Sequence, residues 1–107
     1  MGAFDDREKG IENKYFHDQE LEFKATVRRN KLLGLWAAEL MGLEGDAVEA
    51  YAKEVVKSDF EEAGDEDVFR KVRGDFDAKG VDQSDHQIRR QMDELLAEAR
   101  RQVREDG

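Results

Sequence analysis

Apolar residues recur at helical spacing along four separate stretches of the chain. The first stretch runs from about Glu20 to Met41, and connections that contain glycine follow each of the first three. No strand-like alternation of apolar and polar residues competes with this pattern, and the chain contains no proline, which is typical of a largely helical protein. We therefore predict an all-α fold, a four-helix bundle with short connections and up-down topology.

Each of the last three helices has one apolar stripe that is expected to face the core. The second helix is predicted to end at Gly64 and the third near Gly80. The predicted core positions are Val48, Tyr51, Ala52 and Val55 in the second helix, Val68, Phe69, Val72 and Phe76 in the third, and Ile88, Met92, Leu95, Leu96, Ala99 and Val103 in the fourth.

Polar residues with short side chains stand where these three helices are expected to begin. Asp46, Asp65 and Ser84 are the predicted N-caps, because such side chains accept hydrogen bonds from the free amides of a first turn. Asp46 with Glu49, and Ser84 with Gln87, also have the spacing of a reciprocal capping box.

The end of the first predicted helix, "LLGLWAAELMGL" at residues 32–43, is apolar almost all the way round. Such a helix is either wrapped by neighbours on several sides or carries a second interface. Gly34 in its interior costs about 1 kcal/mol of helix stability relative to alanine, so we expect another backbone to approach closely there. Trp36 is predicted to anchor the core.

The beginning of the chain has an apolar stripe of its own. Phe4, Ile11 and Tyr15 fall within about 40° of one another on a helical wheel, although Gly10 and charges of both signs interrupt them. This stripe is centred about 70° away from the stripe of the first bundle helix. We therefore predict two units: a flexible segment, residues 1–19, whose apolar face belongs to another protein, and a bundle, residues 20–107.

Composition narrows the choice of partners. The 107 residues make one domain with a net charge of −9 and a pI near 4.7, which disfavours nucleic acid and anionic membrane surfaces as ligands. A partner with a basic patch or an apolar groove is favoured instead. The chain has no cysteine, no signal-peptide pattern and no long apolar run, so we expect a cytoplasmic protein without membrane insertion.

No catalytic or metal-binding constellation can be assembled from the sequence, so we do not predict an enzyme. Ser58 and Ser84 occupy no nucleophile elbow, and His17 and His86 match no metal-binding spacing. His86 is expected on the solvated surface. His17 lies at the junction of the N-terminal segment and the bundle, where a histidine is placed to sense pH.

Two basic clusters stand out in this acidic chain: "RRNK", which is Arg28, Arg29, Asn30 and Lys31, and "IRR", which contains Arg89 and Arg90. Most simply they belong to solvated helix faces that nearby acids balance. Guanidinium groups also suit phosphate, so an anion or nucleotide site is the alternative. No glycine-rich phosphate loop accompanies them.

Three long blocks carry a resemblance to a known family: "FDDREKGIENKYFHDQELEFKATVRRNKLLGLWAAELMGL", "AYAKEVVKSDFEEAGDEDVFRKVRGDFD" and "SDHQIRRQMDELLAEA". They resemble the zeta subunit of alphaproteobacterial F-type ATP synthases, a family of small natural inhibitors of the F1 sector. The resemblance covers essentially the whole chain. It implies a four-helix bundle with a mobile N-terminal segment, located in the cytoplasm and peripheral to the inner membrane through F1.

The resemblance implies that this segment inhibits ATP hydrolysis by inserting between the F1 subunits alpha, beta and gamma. Four apolar residues would be anchors and the charged ones would fix the register. The implied F1-binding residues are Phe4, Asp5, Asp6, Arg7, Glu8, Lys9, Ile11, Glu12, Asn13, Lys14, Tyr15 and Phe16, with Phe4, Ile11, Tyr15 and Phe16 as the anchors.

The resemblance also implies that the bundle binds ADP or ATP as a regulatory ligand, with no required cofactor. Arg28, Arg29, Arg89 and Arg90 are the candidates for this site. The alternative function is a nucleotide-binding sensor whose N-terminal segment does not inhibit directly.

Overall fold

The computed structural model describes the backbone of residues 2–59 and 65–106, and the side chains of residues 19–59 and 65–105. These described residues form four helices: α1 (Gly2–Leu40), α2 (Asp46–Ser58), α3 (Glu66–Lys79) and α4 (Asp85–Asp106). No strand occurs in these described ranges. The prediction of an all-α fold with four helices is confirmed.

The first helix begins earlier than predicted. It starts at Gly2 instead of near Glu20, so no break in the helix separates the predicted segment from the bundle. The reason is local: one glycine costs a helix only about 1 kcal/mol, and the glutamate, lysine and arginine around Gly10 favour the helix. The side chains of residues 1–18 lie outside those described, so His17, the twelve predicted F1-binding residues and the mobility of this segment stay predictions.

Helix α1 is the central element, because it packs along both α2 and α4 and also touches α3. It runs antiparallel to α4: Glu22 pairs with Arg100 near the end of α4, whereas Leu33 shares a cluster with Ile88 near its start. Contacts with three helices explain why residues 32–43 are apolar nearly all round.

The core consists of two clusters that follow the predicted stripes. The larger one is built around Leu33, Val55, Val72 and Phe76, and the smaller one joins Ala25 to the last turns of α4. Of the fourteen predicted core positions all are buried except Val48, Leu95 and Leu96, which are half-buried against these clusters. The predicted role of Trp36 is confirmed too, since its ring packs edge-on against Phe76 with centroids 5.5 Å apart.

Gly34 marks a close contact between the backbones of α1 and α2. A Cβ atom built on Gly34 would lie 2.6 Å from the Cα atom of Ala52, closer than real side chains approach. The predicted close approach of a second backbone is therefore confirmed, and Ala52 is the residue that makes it.

The N-terminal cap of α4 and the C-terminal cap of α3 form as predicted. Ser84 and Gln87 form the predicted capping box, with bonds of 2.8 Å from the Ser84 amide to Gln87 Oε1 and 3.1 Å from the Gln87 amide to Ser84 Oγ. Helix α3 ends as expected at Gly80, which has a φ of 69°.

Two boundaries of α2 differ from the prediction. Gly45, with a φ of 60°, takes the N-cap position, so Asp46 lies inside the first turn and its carboxylate caps nothing, although it favours the helix dipole there. The helix also ends at Ser58 instead of Gly64. The Ser58 hydroxyl donates to the carbonyl of Val55 at 2.6 Å and so competes with a further turn.

Candidate functional site

Two of the four predicted anion-binding arginines meet at the start of α3. Arg29 of α1 donates from Nη2 to Oδ1 of Asp65 at 2.7 Å. Arg89 of α4 donates from Nη2 to both carboxylate oxygens of Glu66, at 2.9 and 3.1 Å. Because Asp65 and Glu66 are adjacent, the first turn of α3 ties α1 and α4 together. We call these four residues the α3 arginine cluster.

Arg29 is the unusual member of this cluster, because its side chain is only 1% exposed. Its Nε donates to Oδ1 of Asn30 at 2.7 Å, and Asn30 is itself fully buried. A buried guanidinium is tolerated only when carboxylates and hydrogen bonds compensate its lost hydration. The carboxylate of Asp65 is therefore occupied by Arg29 and does not cap α3, although Asp65 holds the predicted N-cap position.

Arg89 is half-exposed, and an aromatic ring sets its orientation. The guanidinium carbon lies 4.0 Å from the centroid of the Phe69 ring, a cation–π distance. The ring and the Glu66 carboxylate hold the side chain beside α3, and 46% of its surface is exposed to solvent. Arg89 is thus the member of the cluster that a dissolved anion can reach.

The other two predicted arginines lie elsewhere. Arg90 pairs with Glu94 one turn further along α4 at 3.1 Å, as a solvated and balanced helix face would. Arg28 lines a groove between α1 and α2. The structure therefore gathers Arg29 and Arg89 into one place and leaves Arg28 and Arg90 outside it. Nucleotide binding by any of the four stays a prediction.

The groove is a feature that the sequence interpretation missed. It has a volume of about 550 Å³ and lies between α1 and α2, with the end of α4 closing one side. We call it the α1–α2 groove; its lining is Leu21, Phe23, Lys24, Val27, Arg28, Lys31, Val56 and Val103. A signal was available, because Lys24, Arg28 and Lys31 follow the i, i+4, i+7 spacing of one helix face.

Other polar contacts join α2 to α3 and α1 to α4. Tyr51 of α2 donates to Asp75 of α3 at 2.8 Å, and Lys71 contacts the same carboxylate at 3.0 Å. Burial, with the neighbouring Asp75, raises the pKa of Tyr51 far above its usual value, so the hydroxyl stays a donor. Similarly, the hydrogen bond from Arg100 lowers the pKa of Glu22 and fastens α1 to α4.

The residues that the structure describes offer neither a metal site nor a membrane-spanning helix. No group of three or more histidine, aspartate or glutamate side chains there could hold a metal ion. No described helix is long and apolar enough to cross a membrane. His86 lies on the surface, as predicted.

The structure is that of a small acidic protein whose described residues form four helices. Ion pairs, such as those of the α3 arginine cluster, join these helices to one another. The family model of the ATPase inhibitor subunit zeta matches residues 1–102, and the chain belongs to this family, whose members are regulatory and not enzymatic. This confirms the family resemblance and the prediction that the chain is no enzyme. A protein structure solved in solution by NMR is 50% identical with a TM-score of 0.71, over 81% of this chain and 99% of that one. The comparison with curated proteins gave no significant match.

Proposed function

We propose that this protein inhibits ATP hydrolysis by the F1 sector of ATP synthase through residues 4–16, which dock as a helix between the catalytic subunits. Membership of the inhibitor family supports the activity. The extent of α1, which begins at Gly2 and continues into the core of the bundle, supports docking through these N-terminal residues. In this proposal the protein resides in the cytoplasm, held at the inner membrane only through F1.

The lengths of the antiparallel helices α1 and α4 favour a first part of α1 that projects beyond the bundle. Helix α1 has 39 residues and α4 has 22, and the Glu22–Arg100 pair at 2.7 Å lies close to the end of α4 at Asp106. The core contacts of α1 among the described side chains begin at Leu21. At a rise of about 1.5 Å per residue, residues 2–18 of a helix extend about 25 Å, enough to enter a cleft between subunits.

The pattern of residues in this segment suits a groove on a partner. An apolar stripe of Phe4, Ile11 and Tyr15 supplies anchors at helical spacing, and Phe16, about 100° round the helix from Tyr15, supplies a fourth. Charges of both signs on the remaining faces would set the register through pairs with the subunits alpha, beta and gamma. A helix wedged there would block the conformational changes that hydrolysis requires, and the bundle would hold it in place.

Deleting residues 2–16 should abolish inhibition of ATP hydrolysis by isolated F1. The deletion removes every proposed anchor but leaves the core contacts from Leu21 onward, so circular dichroism and thermal unfolding should show a folded bundle. Full inhibition by the folded, shortened protein would contradict the mechanism.

A matched pair of point variants refines this test. Ile11→Ala removes an anchor and should raise the half-inhibitory concentration about tenfold or more, as loss of an interface hot spot does. Asn13→Ala changes an implied F1-binding residue that is not an anchor and lies on the opposite side of the helical wheel, so it should raise the half-inhibitory concentration less, by under about threefold.

We also propose that ADP or ATP binds at the α3 arginine cluster as a regulatory ligand, without being a required cofactor. The convergence of Arg29 and Arg89 at a helix N-terminus supports this location, because both features favour phosphate. Arg89 would exchange Glu66 for a phosphate oxygen while keeping its contact with Phe69. Arg28 and Arg90, outside the cluster, would have lesser roles.

Titration with ADP, followed by amide chemical shifts, tests this second proposal. We expect shifts concentrated at residues 65–69 and 88–90 at millimolar ADP, and an affinity at least about fivefold lower for Arg89→Met, which loses a charge-assisted bond. The matched variant Arg90→Met, outside the cluster, should bind like the parent. An absence of shifts would remove nucleotide binding. Shifts that coexist with undiminished inhibition after deletion of residues 2–16 would favour the alternative, a nucleotide sensor without an inhibitory segment.

A further inference from the structure

We propose that the α1–α2 groove is a second docking surface, which receives an acidic amphipathic helix of the F1 sector. This inference rests on the proposed function, because it takes F1 as the partner. It concerns a different face of the molecule from residues 4–16, and its test separates the two.

The shape and lining of the groove suit apolar side chains of a partner. The main groove of about 550 Å³ continues into a depression of about 260 Å³, since Lys31 and Val56 line both. Phe23, at its edge, is 61% exposed, the largest exposed fraction among the big apolar side chains that the structure describes. A large, accessible aromatic ring beside an apolar trough is the kind of group that dominates binding energy in protein interfaces.

The rim of the groove selects the charge of the partner. Lys31, Lys53 and Lys57 form no ion pair with any side chain that the structure describes, and Lys24 reaches Glu20 at 3.3 Å. Among the described residues that line the two depressions, Glu49 is the one carboxylate. Because the chain has a net charge of −9, a cationic face is not expected from its composition. Such a face is complementary to a partner that carries carboxylates.

The arrangement of these cations favours a helix as the occupant. Lys24, Arg28 and Lys31 follow the i, i+4, i+7 spacing along α1, and Lys53 and Lys57 follow the i, i+4 spacing along α2. Two basic rows thus flank an apolar floor. A helix with an apolar stripe between acidic residues matches both features at once. Nucleic acid would meet the repulsion of the whole acidic chain.

Reversal of one rim charge tests the electrostatic half of the proposal in the full-length protein. Lys53→Glu should raise the half-inhibitory concentration for F1 about five- to tenfold, because it turns attraction into repulsion, and the difference should shrink as salt is added. Maximal inhibition at saturation should not change, since residues 4–16 are intact. Lys79→Glu is the matched control. Lys79 is also exposed and lies at the end of α3, so the substitution reverses the same charge outside the groove. Its effect should stay within about twofold.

Removal of the exposed ring tests the apolar half. Phe23→Ala should raise the half-inhibitory concentration about tenfold while the thermal midpoint stays within about 2 °C, because the ring contributes little to the core. Leu40→Ala is the matched control, since Leu40 is the other exposed large apolar side chain, at 40%, and lies at the opposite end of the described part of α1. It should inhibit F1 like the parent.

The outcomes separate this inference from the proposed function. If Lys53→Glu and Phe23→Ala inhibit F1 at the concentration of the parent, the groove proposal is overturned, whereas loss of inhibition on deleting residues 2–16 would leave the proposed function standing. If the parent binds vesicles of phosphatidylglycerol and phosphatidylcholine, and the two variants do not, the occupant is a membrane and the proposal is likewise overturned.

Discussion

Gly34→Ala should destabilise the protein by about 2 kcal/mol. The new methyl carbon would lie 2.6 Å from the Cα atom of Ala52, and a backbone atom cannot rotate away as a side chain can. Helices α1 and α2 would have to separate, and overpacking of this kind costs about 1–3 kcal/mol or more. Alanine regains about 1 kcal/mol of helix propensity, which the clash of two backbones exceeds. Urea unfolding followed by circular dichroism at 222 nm is the measurement.

Gly74→Ala is the internal control for this prediction. Gly74 also lies inside a helix, but a Cβ atom there has nothing within 4 Å. The same substitution should therefore stabilise the protein by about 0.5–1 kcal/mol through propensity alone. The two variants are expected to shift stability in opposite directions. A stabilising Gly34→Ala would show that α1 and α2 do not approach as closely as described.

Asp65→Ala should destabilise the protein by about 2–4 kcal/mol, measured in the same way. It removes the carboxylate that pairs with Arg29 at 2.7 Å, while the guanidinium is 1% exposed and stays buried with its charge. Breaking a buried pair on one side is costly because the remaining ion has lost its hydration without compensation. The expected value lies towards the lower end for such pairs because Asp65 itself is half-exposed.

Glu66→Ala provides the comparison for Asp65. It removes the neighbouring acid, also near the N-terminus of α3, from an ion pair with Arg89 in which both side chains are exposed. Such a pair contributes about 1 kcal/mol or less, so the loss should be correspondingly small. Equal effects of the two substitutions would mean that burial of Arg29 does not control the stability of this junction.

Much of the bundle could be predicted because helix faces are local properties. The stripe of Val68, Phe69, Val72 and Phe76 repeats every three to four residues, and all four side chains are buried. The capping box of Ser84 and Gln87 involves one turn of chain and formed as predicted. The cap at Asp46 did not form, because Gly45 brings the chain into α2 with a positive φ that places Asp46 inside the helix.

The candidate sites were less predictable because they depend on residues far apart in the chain. Arg29 belongs to a run of charged residues that suggests a solvated face, and its buried charge is compensated by Asp65, the N-cap residue of α3, together with the neighbouring Asn30. The row of Lys24, Arg28 and Lys31 is visible in the sequence. The second row, at Lys53 and Lys57, joins it only because α1 and α2 pack side by side.

The sequence by itself determined the number of helices, their buried faces, the glycine at a close contact between two helices, and the family. These follow from helical periodicity, from single turns and from similarity along the whole chain, none of which requires knowledge of how the helices are placed. The tertiary structure decided which charges pair, why one arginine is buried, and where a basic groove opens beside Phe23. The physical reason is that an ion pair or a groove requires groups from different helices to lie within a few ångströms, and only the packing of the helices sets that distance.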